Sequence, residues 1–143
     1  MAQLLTRKQL LLAKIESTYG TDPVPVVGTD AVLISDLTIT PIESEYADRA
    51  LIRPYLGASD QIASAIRSKI SFSVELAGSG TAGTAPKWAP LLRACGFAET
   101  VNAGVSVQYD PVSATFPSLT FYAFRDGVRH VLRGCRGTVQ LAL

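Results

Sequence analysis

Histidine occurs once, at position 130, and cysteine twice, at 95 and 135, so the chain cannot build a standard Cys/His zinc site. Two thiols far apart in sequence read as reduced, buried side chains rather than a disulfide framework. An excess of one charge is also missing. Thirteen basic against twelve acidic residues leave a formal net charge of +1, which excludes a global field drawing the protein to nucleic acid or a membrane surface. No apolar run is long enough to span a bilayer, and Leu10 to Ala13 is too short for a signal peptide, with Lys14 and Glu16 breaking it. Folding in a reducing cytosol is the expectation. With 143 residues the chain suits one domain, 1–143, able to bury a core without metals or disulfides.

What is present centres on residues 67–97. From Lys69 to Leu76, the polar residues Lys69, Ser71, Ser73 and Glu75 alternate with Ile70, Phe72, Val74 and Leu76, the pattern of a half-buried strand. Trp88, Leu91, Leu92 and Cys95 recur at helical spacing, and Gly96 follows where a left-handed cap belongs, so a short helix is expected to pack this face on a sheet. Between strand and helix, Gly78, Gly80 and Gly83 spell GxGxxG, which on motif alone names a nucleotide-binding protein as an alternative. Against it, the strand has one polar face, whereas a Rossmann first strand is apolar on both. Pro86 and Pro90 also crowd the helix start, and no GK[ST] closes the loop. Neither a cofactor nor a metal is expected.

At the N-terminus two readings compete for residues 1–30. Thr6 and Gln9 fit a capping box before a helix carrying Leu10, Leu11, Leu12 and Ile15, while Leu11, Ala13 and Ile15 also alternate as in an extended arm. Gly20 to Gly28, with Pro23 and Pro25, reads as loop. Leu33, Leu37 and Ile39 alternate with Asp36, Thr38 and Thr40 in a second strand that Pro41 is expected to end. Residues 42–66 then read as a long excursion. Ile52, Pro54, Tyr55 and Leu56 are too apolar for a solvated tip, so the excursion is expected to contact a partner through Glu43, Glu45, Asp48, Arg49, Arg53, Tyr55 and Leu56. Glu43 and Glu45 have no nucleophile or histidine beside them and read as surface charge rather than an acid/base pair.

The last third is rich in strands. Val105, Val107 and Tyr109 alternate with Ser106 and Gln108, and Asp126-Gly127 marks a two-residue type I′ turn. That turn pairs Arg125 with Val128, Phe124 with Arg129, Ala123 with His130, Tyr122 with Val131 and Phe121 with Leu132. Leu119, Phe121, Ala123, Val128, His130 and Leu132 then share the core face, with Tyr122, Phe124, Arg129 and Arg133 opposite as an interface. The cluster of Arg125, Arg129, Arg133 and Arg136 also admits a nucleic-acid-binding ribbon, though the protein interface is the favoured reading. Val139, Leu141 and Leu143 alternate with Thr138, Gln140 and Ala142 in a last strand.

ESTYGTDPVP, the LIRPYLG excursion, SFSVELAGSGTAGTAPKWAPLLRACGFAETV and FYAFRDGVRHVLRGCRGTVQLAL, in this order, resemble the tail tube (major tail) proteins of long, non-contractile-tailed bacteriophages. The most specific pieces are Glu16 to Asp22, the unit ending LLRACGF, and the turn GCRGT at Gly134 to Thr138. The resemblance implies a mainly β fold: a β-sandwich or barrel-like tail tube domain with one flanking short helix and a long protruding loop. It implies a non-enzymatic virion subunit, assembled as hexameric rings stacked into a tube that conducts DNA on ejection. A terminator or connector subunit of the same fold is the alternative. Other tail proteins (tape measure, terminator, distal tail) are the implied partners, phage DNA passes without specific binding, and no membrane is involved. Assembly in the host bacterial cytoplasm and residence in the virion tail follow from the same resemblance. Members of that family commonly continue past the GCRGT turn with further β structure, so a longer natural chain is also an expectation.

Overall fold

In the computed structural model, which describes residues 5 and 7–142, the chain is mainly antiparallel β, as the sequence predicts. It divides into two compact units, residues 35–73 and the remainder.

The larger unit is built on a four-stranded sheet in the order β2-β1-β7-β8. Its strands are β1 (Gln9–Ile15), β2 (Ala31–Val32), β7 (Leu119–Arg125) and β8 (Val128–Cys135). Of the two N-terminal readings the extended one holds, since Leu11 pairs with Ala123 and Ala13 with Phe121; Thr6 of the capping box lies outside the described residues. Leu11, Leu12 and Ala13 are all buried, as are Leu119 to Ala123, because both strands are interior to the sheet and covered on both faces. The β7–β8 register matches the Asp-Gly prediction pair for pair, and Asp126 and Gly127 have φ of 47° and 86°, as a type I′ turn requires.

A one-turn helix, α1 (Val27–Asp30), precedes β2, and α2 (Ala89–Ala94) packs on β1 and β7. The small side chains Ala89 and Ala94 are the buried residues of α2, while Trp88, Leu91, Leu92 and Cys95 are half-buried. Beside α2 stands a hairpin of β5 (Phe97–Asn102) and β6 (Ser106–Pro111), of which β5 had no clear sequence signal. Arg93 of α2 reaches Glu99 at 3.8 Å, and the Trp88 and Tyr109 rings lie 5.6 Å apart. The expected last strand is absent from residues 136–142. The Gly137 N–H instead donates to the Ala94 carbonyl, and Arg136 lies over the Tyr19 and Phe116 rings.

The smaller unit is a long hairpin of β3 (Ser35–Asp48) and β4 (Gln61–Ser73). It corrects three expectations. About half of the 42–66 excursion lies in strands, residues 42–48 and 61–66, and residues 49–60 connect them outside the ladder. Pro41 does not end its strand, because it sits in a register shift between Thr40 and Glu43 where no ladder amide is demanded of it. The strand expected at Lys69 to Leu76 runs instead from Gln61 to Ser73, leaving Leu76 about half exposed.

Candidate functional site

Alternation along the β3–β4 ladder sorts the hairpin into unlike faces. Between Thr38 and Glu45, the pairs Thr38·Ser71, Thr40·Lys69, Glu43·Arg67 and Glu45·Ala65 share one side. That side is polar apart from Ala65. Ile39·Ile70 and Ser44·Ile66, with Phe72, occupy the other, and Ile66 is 70% exposed. Arg67 bridges both acids, at 3.0 Å to Glu43 and 2.5 Å to Glu45, so its charge is neutralised within the face. A further shift between Glu45 and Tyr46 reverses the sidedness towards the tip. The Ser44 hydroxyl reaches the Tyr46 hydroxyl at 3.2 Å on the side of Ile66, and Gln61 donates to Asp48 at 2.6 Å.

The tip holds the remaining residues expected to make contacts. Arg53 pairs with Asp60 at 3.5 Å and lies over the Tyr55 ring, 5.9 Å from its centroid. Arg49 is exposed, and the side chains of Ile52 and Leu56 are fully exposed. A two-stranded hairpin is marginal alone, and one that leaves Ile42, Ile52, Leu56 and Ile66 in water calls for a covering surface.

In the larger unit the sequence pieces ESTYGTD and GCRGT meet around Glu16. This carboxylate is buried and accepts four hydrogen bonds: Ser118 Oγ and Thr120 Oγ1 at 2.6 Å, and the Gly20 and Gly134 amides at 2.7 Å. Burial alone would raise its pKa, but the four donors outweigh it and bring the carboxyl down to about 2. Gly134, at φ 66°, lies against Tyr19, where an added Cβ would stand 3.0 Å from the ring. Asp22 accepts from the Tyr122 hydroxyl, which lowers the acid and raises the phenol, and Arg133 and Arg129 reinforce the lowering. None of these roles was legible in the sequence, although Glu16 to Asp22 stood out as a motif.

The arginine ribbon is thereby tied into its own chain. Tyr122 is buried, with Arg129 4.9 Å from its ring centroid and Phe124 packed edge-on, and of the four arginines Arg129, Arg133 and Arg136 are exposed. His130 is half-buried and pairs with Ala123. Burial pushes both free thiols up, Cys135 to about 11 with Glu16 contributing, so each stays protonated at neutral pH.

The glycine-rich loop is exposed at Gly78 and Gly80 and packed at Gly83. Gly83, at φ 69°, lies so close to the β5–β6 turn that an added Cβ would meet the Gly104 amide nitrogen at 2.3 Å. Ser79 Oγ donates to the carbonyls of Thr81 and Thr84, and Trp88 Nε1 to that of Ala77 at 2.8 Å. This loop forms one wall of a largely apolar groove of about 370 Å³, which Val32, Leu33, Val74 and Trp88 also line.

The sequence profile of the family described as "Phage tail tube protein" matches residues 6–143. No curated protein and no solved structure matches the chain.

Proposed function

Since the chain belongs to the phage tail tube protein family, we propose that it is the repeating structural subunit of a tail tube, forming hexameric rings that stack into the conduit for DNA ejection. The observation that carries this reading is the two-faced β3–β4 hairpin. Its polar face and its two outer edges, which no further strand joins among the described residues, suit a ring in which hairpins from neighbouring copies join side by side into one barrel around a water-filled lumen. In this arrangement Glu43, Glu45, Arg67 and Lys69 face the passing DNA. Glu43 and Glu45 are matched in charge by Arg67 and Lys69, so the face carries no net charge and DNA slides without the counterion release that drives tight binding. The apolar side of the hairpin is covered within the ring wall.

Closed rings with unlike axial faces stack without limit, which is how a small subunit makes a long tube. The residues at and near the tip, Asp48, Arg49, Arg53, Tyr55 and Leu56, reach a neighbouring copy, and Arg129 and Arg133 with Phe124 add lateral contacts. The role is structural, with other tail proteins capping the tube ends and filling the bore. Negative-stain electron microscopy with light scattering tests the proposal. Rings or tubes are the expected result, and a uniform monomer at all concentrations and salts overturns it.

A further inference from the structure

Asp126-Gly127 is the one Asp-Gly step in the sequence, and the β7–β8 turn holds its two halves unequally. Gly127 has no Cβ to shield the nitrogen before it, it is exposed with open space around it, and among the described residues no hydrogen bond engages its N–H. The neighbouring carboxyl group is fastened. Oδ2 of Asp126 accepts the Leu5 amide at 2.8 Å, and Oδ1 lies 3.8 Å from Lys8 Nζ. The Asp126 N–H also donates to the Lys8 carbonyl at 2.8 Å, so three contacts tie the turn to the start of β1. A carboxylate that is ionised and paired is a poor electrophile. Reaction with the next backbone nitrogen needs the neutral acid, free to turn onto it.

We propose that Asp126 is a modification site, a centre of spontaneous isomerisation that Leu5 and Lys8 keep closed. When those contacts open, the Gly127 nitrogen attacks Cγ of the protonated side chain. The new C–N bond closes a five-membered succinimide, and the amide proton leaves with the carboxyl hydroxyl as water. A second water then adds to either ring carbonyl. Opening at Cγ restores aspartate, and opening at the backbone carbonyl leaves isoaspartate, with one more methylene in the main chain. The two-residue turn sets the pairs Arg125·Val128 and Phe124·Arg129, so the added atom unseats them. Leu5 thereby guards a hairpin register 121 residues further along the chain. The assignment is independent of how the protein assembles.

The test incubates the full chain at neutral pH in water enriched in oxygen-18, digests it with chymotrypsin in ordinary water, and follows the peptide holding Asp126 by mass spectrometry. Each passage through the succinimide fixes one heavy oxygen, and isoaspartate separates from aspartate by retention time. Slow labelling of the folded chain and fast labelling in urea are expected. Removing both contacts in Leu5→Pro/Lys8→Ala should speed the folded chain about tenfold, the weight of a charge-assisted bond, and leave the urea rate unchanged. Asp126→Glu, whose ring would have six members, gives the blank. Equal rates in folded and unfolded wild type, or a folded double variant no faster than wild type, overturn the gate, and absence of label in urea overturns the site itself. Should the double variant fail to fold, Lys8→Ala alone decides. It removes only an exposed ion pair, a gain of about twofold is expected, and no gain overturns the proposal.

Discussion

A carboxylate removed from water needs its lone pairs answered, and at Glu16 each oxygen accepts one hydroxyl and one backbone amide. The hydroxyls of Ser118 and Thr120 can rotate, but the amides of Gly20 and Gly134 cannot. Glu16→Gln therefore sets its NH₂ against a fixed N–H whichever way the amide is turned. Chemical denaturation at neutral pH should show a loss of about 3 kcal/mol, from a charge-assisted bond removed and a buried donor left unmet. The pH dependence has a definite sign. With the folded pKa lowered from 4.5 to about 2, the unfolded chain binds the extra proton between these values. The stabilisation is full above about pH 4.5 and drains away as pH falls towards 2, and this slope should flatten in Glu16→Gln. An equally steep acid limb in the variant would assign the transition to other groups.

Among the elements, the glycine-rich loop separates two explanations of one pattern. Were it a dinucleotide loop, Gly80 would be the critical glycine, because the second position lets backbone approach a pyrophosphate. Here Gly80 has open space around it and only its φ of 79° to defend, whereas Gly83 meets backbone at 2.3 Å as well. Gly80→Ala should cost about 1 kcal/mol and Gly83→Ala clearly more, read by thermal melts of the two variants. The reverse order would reopen the ligand reading. How far each element was legible follows from its surroundings. The β7–β8 register was readable because Asp126-Gly127 fixes the turn and the turn fixes every pair. β1 was ambiguous because burial on both faces erases the period of two, so Leu11, Leu12 and Ala13 suit a helix equally well. The hairpin was half seen, since three register shifts interrupt its alternation and disguise residues 42–66 as an excursion. Glu16 was opaque as a site for a different reason. Three of its donors lie 102 to 118 residues away in sequence, and no local pattern announces such a meeting.

For the whole molecule, folding and assembly should be separable at the hairpin tip. Asp48 and Gln61 are paired directly, so the ladder is complete without residues 49–60. Replacing those residues by Asn-Gly closes the hairpin with a two-residue type I′ turn, whose twist matches that of the strands, and shortens the connecting loop. The exposed Ile52 and Leu56 go with the deleted segment, and the ion pair lost with Arg53 and Asp60 is a surface one that contributes little to stability. A melting temperature close to that of the full-length chain, with an unchanged far-ultraviolet circular dichroism spectrum, is therefore expected. Assembly should respond differently. If the tip is the axial joint, the shortened chain closes rings through its strand edges but cannot stack them, so electron microscopy should show single rings where the parent protein gives tubes. Tubes of unchanged length from the shortened chain would place the joint elsewhere, and loss of the rings as well would show that the tip also serves the lateral contact.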